Sequence, residues 1–521
     1  MKKRIFSLFA ALLLLLSGCV GPDQQPAETA APAPAAEEEK HTLSLAVYDF
    51  DTFNPIVTGS QSVLEIAGLL YEGLMSTDGT GMPVCALAES YTVSDDGLTY
   101  EFDLRSDVFW HDGTRFTAYD VAYTISCIQE YESMFRPAVS LIDTSEVAGE
   151  NVFRVTLQRP ASGFINEMTF PIIKDGTDCV NNLARQQPIG TGPYRYVRQE
   201  AGKTFRLVRN EQWVGGVAQI EAISIKVMPD AQAELYALEA GEIDAASISA
   251  KDLMRYNPKG NLKSVSYTDR NFSFIGINTT RPGLNTVQVR QAMSLLIDRD
   301  RISKNVMFGR MLPVSVPAAP DSWLYDNPNV ESMHDVNAAL ALLEAEGYTQ
   351  FESDIRYRQE EEQNIMLHFE LLVNEENEIR RAAAEEIAKC LKEAGIQIDV
   401  VALRFSDYQN RIEAGRYDLF LGEVSLDNWN DWSIFAGSSA RYSVYSSENI
   451  DYLLQSSQQA TQLPQIQEAY HALCRAFLDE MPIISLYFGQ ASLIYDSSIT
   501  GDIRPVFQNI YGNISQWQKQ Q

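Results

Sequence analysis

The chain has 521 residues, 45% of them hydrophobic, and a formal net charge of −29 from 70 acidic against 41 basic side chains. That balance would repel a polyanion and argues against nucleic acid as a partner; it fits a solvated surface or a bias toward cationic, amine-bearing ligands. About 480 residues follow the first forty, more than one core supports, so two or three domains are expected.

In chain order, Lys2, Lys3 and Arg4 precede an apolar run from Ile5 to Leu16, too short to span a bilayer and patterned as a signal peptide over residues 1–18. The run ends in Leu16-Ser17-Gly18-Cys19, which resembles the lipobox of bacterial lipoproteins, where a peptidase cuts before a cysteine that receives diacylglycerol. An ordinary secretory signal with an incidental cysteine is the alternative. Residues 19–40 are rich in Pro, Ala and Glu and read as a disordered tether below the body. No later segment is long and apolar enough to cross a membrane.

The body opens with the alternating strand Leu43–Val47, a break at Asn54-Pro55, and a helix expected from Val63 to Leu74. Strands follow around Leu98–Leu104 and Phe153–Leu157, separated by a helix that Thr117 and Asp120 start as a capping box. Two later stretches share one plan. Ile223, Ile225 and Val227 form a strand, a helix runs to Gly241, and Ile243-Asp244-Ala245 begins another strand. Ile396, Ile398 and Val400, a helix to Gly415, and Tyr417–Phe420 repeat it, down to Glu-Ala-Gly-x-x-Asp at both stops. Another alternating strand and helical stripe, Ile365–Leu371 and Ile379–Leu391, precede the second of these. Strand, helix, strand in both halves implies two α/β lobes around a cleft, suited to ligand capture by closure.

Catalytic signatures are missing from the sequence: it has no Gly-x-Ser-x-Gly elbow, Walker loop, dinucleotide fingerprint or His-Glu-x-x-His. Gly190-Thr191-Gly192-Pro193-Tyr194 reads as a tight turn, because Pro193 lacks the amide a phosphate cradle needs. The five histidines lack metal-ligand spacing, and His111 reads as structural. Once Cys19 is lipidated, five cysteines remain at spacings too wide for a Cys-x-x-Cys site. No catalytic residue, cofactor or metal is expected.

Several segments stand out together: Tyr71–Leu74, Ala86–Ser90 and Ser94–Arg105; Trp110–Thr114 with Thr117–Val121; Pro188–Tyr194 with Arg209-Asn210 and Trp213; and Val289–Ser294 with Ile297–Arg299 and Gly309. In this order they resemble the extracellular solute-binding proteins of family 5, which feed dipeptide, oligopeptide and nickel ABC importers. The resemblance implies an α/β, periplasmic-binding-protein-like fold of type II, cluster C-like, with two lobes and three domains. Domain I would comprise residues 41–75, 190–271 and 489–517, domain II residues 76–189, and domain III, the second lobe, residues 272–488.

In peptide-binding relatives an aspartate past the strand after a second-lobe helix captures the ligand's α-ammonium group. Asp427 is the candidate here, and Glu423 could replace or share it. Trp429 and Trp432 could line the cleft or pack the lobe. Thr58, Gly59 and Ser60 stand where relatives lend backbone groups to an extended peptide. Leu372-Val373-Asn374 stands where dipeptide-binding relatives carry a carboxylate-holding arginine; Arg404 or Arg441 could substitute. The expected protein is a monomeric, lipid-anchored, extracytoplasmic receptor, on the cell surface or in the periplasm. It would hand a short peptide or other small solute to ABC permease subunits with a separate ATPase. A nickel chelate or oligosaccharide cargo is the alternative within this class, and a surface glycan hydrolase the alternative outside it.

Overall fold

The computed structural model describes residues 42–520 except 182, 201–202, 254–257, 327–332, 361–362, 427–430 and 508. The signal segment, Cys19 and the tether lie outside the described residues, as do Asp427 and Trp429. Among the described residues no helix is long and apolar enough to cross a membrane.

Strand β1 (Thr42–Tyr48) and helix α1 (Gln61–Ala67) come first. A separate antiparallel sheet is then inserted, with β2 (Ala88–Val93), β3 (Thr99–Leu104), β4 (Ile142–Gly149) and β5 (Val152–Leu157) in the order β2-β3-β5-β4. Tyr100, Phe102 and Leu104 alternate into its core, and α2 (Ala118–Glu130) contributes Val121, Ile125 and Ile128. The capping box forms: Thr117 N–H donates to Asp120 Oδ2 at 2.8 Å. The buried carboxylate also accepts from Trp110 Nε1 and from the Asp175 amide, so Asp120 joins three segments.

The chain then returns to β1. Strands β6 (Tyr194–Glu200), β7 (Thr204–Arg209) and β8 (Ala222–Met228) give the order β1-β8-β7-β6, with β1 and β8 parallel. Helix α3 (Ala231–Glu239) and β9 (Ala245–Ile248) lead into the largest sheet. Five further strands are β10 (Leu262–Ile277), β11 (His368–Asn374), β12 (Gln397–Leu403), β13 (Leu419–Ser425) and β14 (Ile483–Asp496), in the order β9-β14-β10-β13-β11-β12, with the short strand Met311–Pro313 paired to β14. The helices of this lobe include α4 (Glu378–Lys392), α5 (Phe405–Glu413) and α6 (Leu463–Glu480). Ala383, Ile387 and Leu391 of α4 share a core with Leu371 and Val373 of β11.

Strands β10 and β14 are long enough to serve both lobes. Their ladder runs from Leu262 opposite Asp496 to Gly276 opposite Ile483, with a register break between Thr268 and Phe272 and a smaller shift between Ser273 and Phe274. Before the break, Val265 and Tyr267 pack on the first-lobe core; after it, Phe272 and Ile275 are buried in the second lobe. The family resemblance implies a second lobe that starts at Phe272.

Helix α1 is shorter than expected. It stops at Ala67, because the Leu69 and Leu70 carbonyls leave the helix to accept from the Tyr194 and Gly192 amides, each at 2.9 Å. Gly190 and Gly192 permit this approach: a Cβ on Gly190 would collide with the Leu70 carbonyl oxygen, and one on Gly192 would lie 2.8 Å from the Leu70 carbonyl carbon. His111 clamps the same corner. Its Nδ1 accepts from Gly190 N–H at 3.1 Å, which leaves Nε2 to donate to the Gly192 carbonyl at 3.1 Å. Asn210 Nδ2 reaches the same carbonyl, and Trp213 Nε1 donates to Glu72 Oε1 at 3.0 Å. The glycine-rich motif, His111, Asn210 and Trp213 thus form one scaffold corner.

The repeated Glu-Ala-Gly-x-x-Asp has a structural counterpart. Gly241 and Gly415 both take positive φ, 70° and 64°, just past the ends of α3 and α5. Three residues on, Asp244 Oδ2 accepts from the Ser44 amide of β1 at 2.6 Å, and Asp418 Oδ2 accepts from the Glu370 amide of β11 at 3.0 Å. Each strand that donates the amide pairs in parallel with the strand before the helix, and each aspartate meets a cation, Lys519 or Arg281. Arg290 and Arg299 of the third motif are buried and donate to main-chain carbonyls, Arg290 to those of Glu480 and Met481 at the end of α6 and Arg299 to Ser485 on β14. The five described cysteines are free thiols.

Gly190→Ala is expected to cost about 3 kcal/mol or more, because a backbone carbonyl, unlike a flexible side chain, cannot move aside; the denaturant midpoint measures it. Burial pushes His111 down to about 4 from 6.5. Its contribution is therefore complete above pH 6.5 and is lost as pH falls toward 4. The thermal midpoint should drop across that window, and His111→Asn should flatten the drop.

Candidate functional site: the cavity at the break between the lobes

The register break turns the side chains of Asp269, Arg270 and Asn271 toward a cavity of about 880 Å³. Helix α1 contributes Gln61 and Glu65, α3 contributes Glu234 and Tyr236, β9 contributes Ser247, and the end of β13 contributes Ser425. Two smaller cavities, of about 220 and 350 Å³, share Arg270 and Phe507 with it, so the three adjoin around that pair. The Arg270 guanidinium lies 4.7 Å from the Phe507 ring centroid, a cation–π contact where the cavities meet. Volumes of this size suit a small-molecule or short-peptide ligand.

Local sequence explains the wall. The turn Asp269-Arg270-Asn271 is closed by the Asp269 carboxylate, which accepts from the Asn271 amide at 2.8 Å and from Asn271 Nδ2 at 3.2 Å. Gly489 on the facing strand leaves room for that carboxylate, since a Cβ there would strike it. On α1 and α3 the apolar residues turn inward, which leaves Glu65 and Glu234 toward the cleft. Burial pushes Glu65 up to about 8 and, together with repulsion from Glu65, lifts Glu234 to about 8. Burial also raises Asp269 and, with Coulombic repulsion from Glu65 and other nearby acids, lifts Tyr48 to about 12.

The residues nominated from sequence fall in different places. Thr58–Ser60 follow β1, but their amides are engaged: Gly59 N–H donates to Asp51 Oδ2 at 2.7 Å, and Ser60 N–H to Thr58 Oγ1 at 3.1 Å. Ser60 Oγ caps α1 through the Val63 amide. Glu423 sits on β13 opposite Ser273, paired with Arg380 Nη2 at 3.1 Å. Arg404 is exposed and lies 3.7 Å from Glu375, and Arg441 is exposed. Trp432 is 1% exposed and packs edge-on against Tyr470 and Phe477 of α6, so it belongs to the lobe core. Asp427 and Trp429 lie outside the described residues, two and four positions past the cavity-lining Ser425.

Sequence reasoning missed Glu65, Glu234, Arg270 and Phe507, since nothing local marks them. It also missed Arg380. From the first turn of α4, Arg380 Nη1 donates to Asn374 Oδ1 at 3.0 Å, bringing a guanidinium to the strand end where the sequence lacks one.

The family model of the bacterial extracellular solute-binding proteins, family 5 Middle, matches residues 82–444. The oligopeptide-binding protein AppA of Bacillus subtilis is 24% identical, over 98% of this chain and 98% of its own. A probable di/tripeptide-binding protein of Pseudomonas aeruginosa is 26% identical, with 82% and 81% covered. The unliganded open form of the periplasmic murein tripeptide-binding protein MppA superposes with a TM-score of 0.77 over 92% of this chain and 97% of that one, at 16% identity. Such relatives are binding proteins rather than enzymes, in keeping with a cavity between two lobes. The chain belongs to the bacterial extracellular solute-binding proteins of family 5.

Proposed function

We propose that this protein is a lipid-anchored receptor of an ABC importer that captures a short peptide between its lobes and delivers it to the permease. ATP hydrolysis belongs to separate subunits. The observation that carries the reading is the 880 Å³ cavity at the register break, lined by the first lobe and by Ser425 of the second, together with the adjoining 350 Å³ cavity, where Asn166 and Arg504 face Pro317 and Trp323 of the second lobe. A ligand there touches α1 and α3 on one side and the end of β13 on the other, so it stabilises a shut arrangement that makes both sets of contacts. Relatives named for oligopeptides and for di- and tripeptides support peptide as the cargo.

For the ligand's amino end we keep Asp427. Glu423 is the weaker candidate, because Arg380 already neutralises it. A carboxylate facing an ammonium makes a charge-assisted hydrogen bond worth about 1.5–3 kcal/mol. The oligosaccharide alternative loses one of its two tryptophans, since Trp432 is buried among aromatic side chains of α6.

Calorimetry with peptides of two to nine residues should show one site per chain, and mass spectrometry should recover the peptide unaltered; turnover would refute the receptor. Asp427→Ala should weaken binding about tenfold or more, and N-acetylated peptides should bind the wild type comparably poorly. Unchanged affinity in both experiments removes Asp427 from the site.

Cys19 is the anchor in this reading. In a bacterial host the wild type should fractionate with membranes and incorporate radiolabelled palmitate, whereas Cys19→Ser should do neither. Equal membrane association of both forms would rule out the lipid.

A further inference from the structure

Recognition of peptide ends and backbone does not call for unpaired acids on the cavity wall, yet Glu65 and Glu234 line it. Glu234 is only 8% exposed and lines the cavity, but its carboxylate makes no hydrogen bond or ion pair among the described residues. Glu65, part-buried on α1, is also without such a partner. The two are close enough for Glu65 to repel Glu234, and the hydroxyls of Tyr48, Tyr267 and Tyr511 all feel Glu65. Asp269 stands across from them on β10, with Glu239 and Asp252 on the same cavity wall; Arg270 and Lys259 are its basic residues, and Asp49 adds to the field at Tyr48. An unpaired carboxylate out of water is costly, and a fold retains one readily when a ligand supplies the partner.

We propose that Glu65 and Glu234 form a specificity pocket for a cationic side chain of the bound peptide, a lysine ammonium or an arginine guanidinium. The pocket rests on the peptide-receptor reading above and adds a preference for basic sequences. In the empty protein the two carboxyls hold protons near neutrality, their pKa values standing at about 8. An arriving cation favours the ionised form, so binding below pH 8 releases protons, and preference for the cation grows as pH rises toward 8.

The test titrates the full chain calorimetrically with Lys-Lys-Lys, Ala-Ala-Ala, Glu-Glu-Glu and spermidine, in two buffers of different ionisation enthalpy. Lys-Lys-Lys should bind about tenfold or more tighter than Ala-Ala-Ala, with Glu-Glu-Glu weakest. Relative to Ala-Ala-Ala, it should also release protons from the wild type at pH 7. The double substitution Glu65→Gln, Glu234→Gln keeps shape and removes charge; it should abolish both the preference for Lys-Lys-Lys over Ala-Ala-Ala and the proton release. Equal binding of Lys-Lys-Lys and Ala-Ala-Ala without proton release in the wild type overturns the pocket while leaving the peptide receptor intact, and does not depend on the variant folding. A preference that survives the double substitution overturns it too. Binding of spermidine with none of the three peptides defeats the peptide reading and assigns the pocket to free polyamines; silence from all four probes overturns both.

Discussion

The continuous ladder between β10 and β14 is the constraint on which the two-lobe arrangement depends. A strand pair that passes from one core to the other ties the lobes through the backbone itself, so their separation cannot exceed what the pair allows. Unbroken, such a ladder would be stiff and would bury its side chains alternately on the two faces. The break between Thr268 and Phe272 releases three residues from that alternation, and these three, Asp269, Arg270 and Asn271, point into the cavity. A bulge also bends the strand that carries it and weakens pairing locally, which is where a hinge costs least. The cavity-lining residues therefore coincide with the wider of the two register shifts in this ladder.

Around that defect, both lobes use the same device to hold a strand after a helix. Gly241 and Gly415 end α3 and α5 with positive φ, and Asp244 and Asp418 then accept amides from the neighbouring parallel strands. Asp418 stands just before the β11–β13 ladder begins, whereas Asp244 joins β1 and β9, which lie in different sheets. This explains why the echo was visible as letters: the glycine, because only it adopts that φ cheaply, and the aspartate, because a short carboxylate reaches one residue row across a sheet. Motif residues elsewhere follow the same logic. Gly190, His111, Asn210 and Trp213 are scattered in sequence, yet all serve a corner where two backbones touch.

Features governed by local geometry were therefore legible: the alternating strands, the Thr117–Asp120 capping box, the glycine corner and the strand-helix-strand units. What failed depended on distant packing. The apolar run past Ala67 looks helical until Gly192 and Tyr194, more than a hundred residues away, claim the carbonyls of Leu70 and Leu69. Trp432 sits in a loop that the family resemblance associates with ligand, but α6 brings Tyr470 and Phe477 against it. No arginine stands at Asn374, but six residues later a helical turn brings Arg380 back to hydrogen-bond the Asn374 side chain. Within a chain of net charge −29, no pattern distinguishes Glu65 and Glu234 from glutamates on a solvated face. Both occupy the polar side of a short helix; only the meeting of α1, α3 and β10 converts that side into the wall of a cavity.

That conversion also bears on how the empty and filled states are balanced. A surface glutamate is indifferent to pH near neutrality, whereas these two, with pKa values lifted to about 8, bind protons that the unfolded chain would release. Between the ordinary carboxyl range and pH 8 the native state therefore gains protons relative to the unfolded state, and its stability falls as pH rises through that interval. The fold tolerates this because its scaffold contacts lie elsewhere: the buried arginines stay charged throughout that range, and His111 at the glycine corner adds stability as pH rises from 4 to 6.5. Residues that weaken the empty protein are the ones from which a cationic ligand can draw binding energy, since the ligand relieves a strain already present. Stability and recognition are in this way assigned to separate parts of the molecule: the motif residues hold the lobes, and the unpaired carboxylates wait at the break between them.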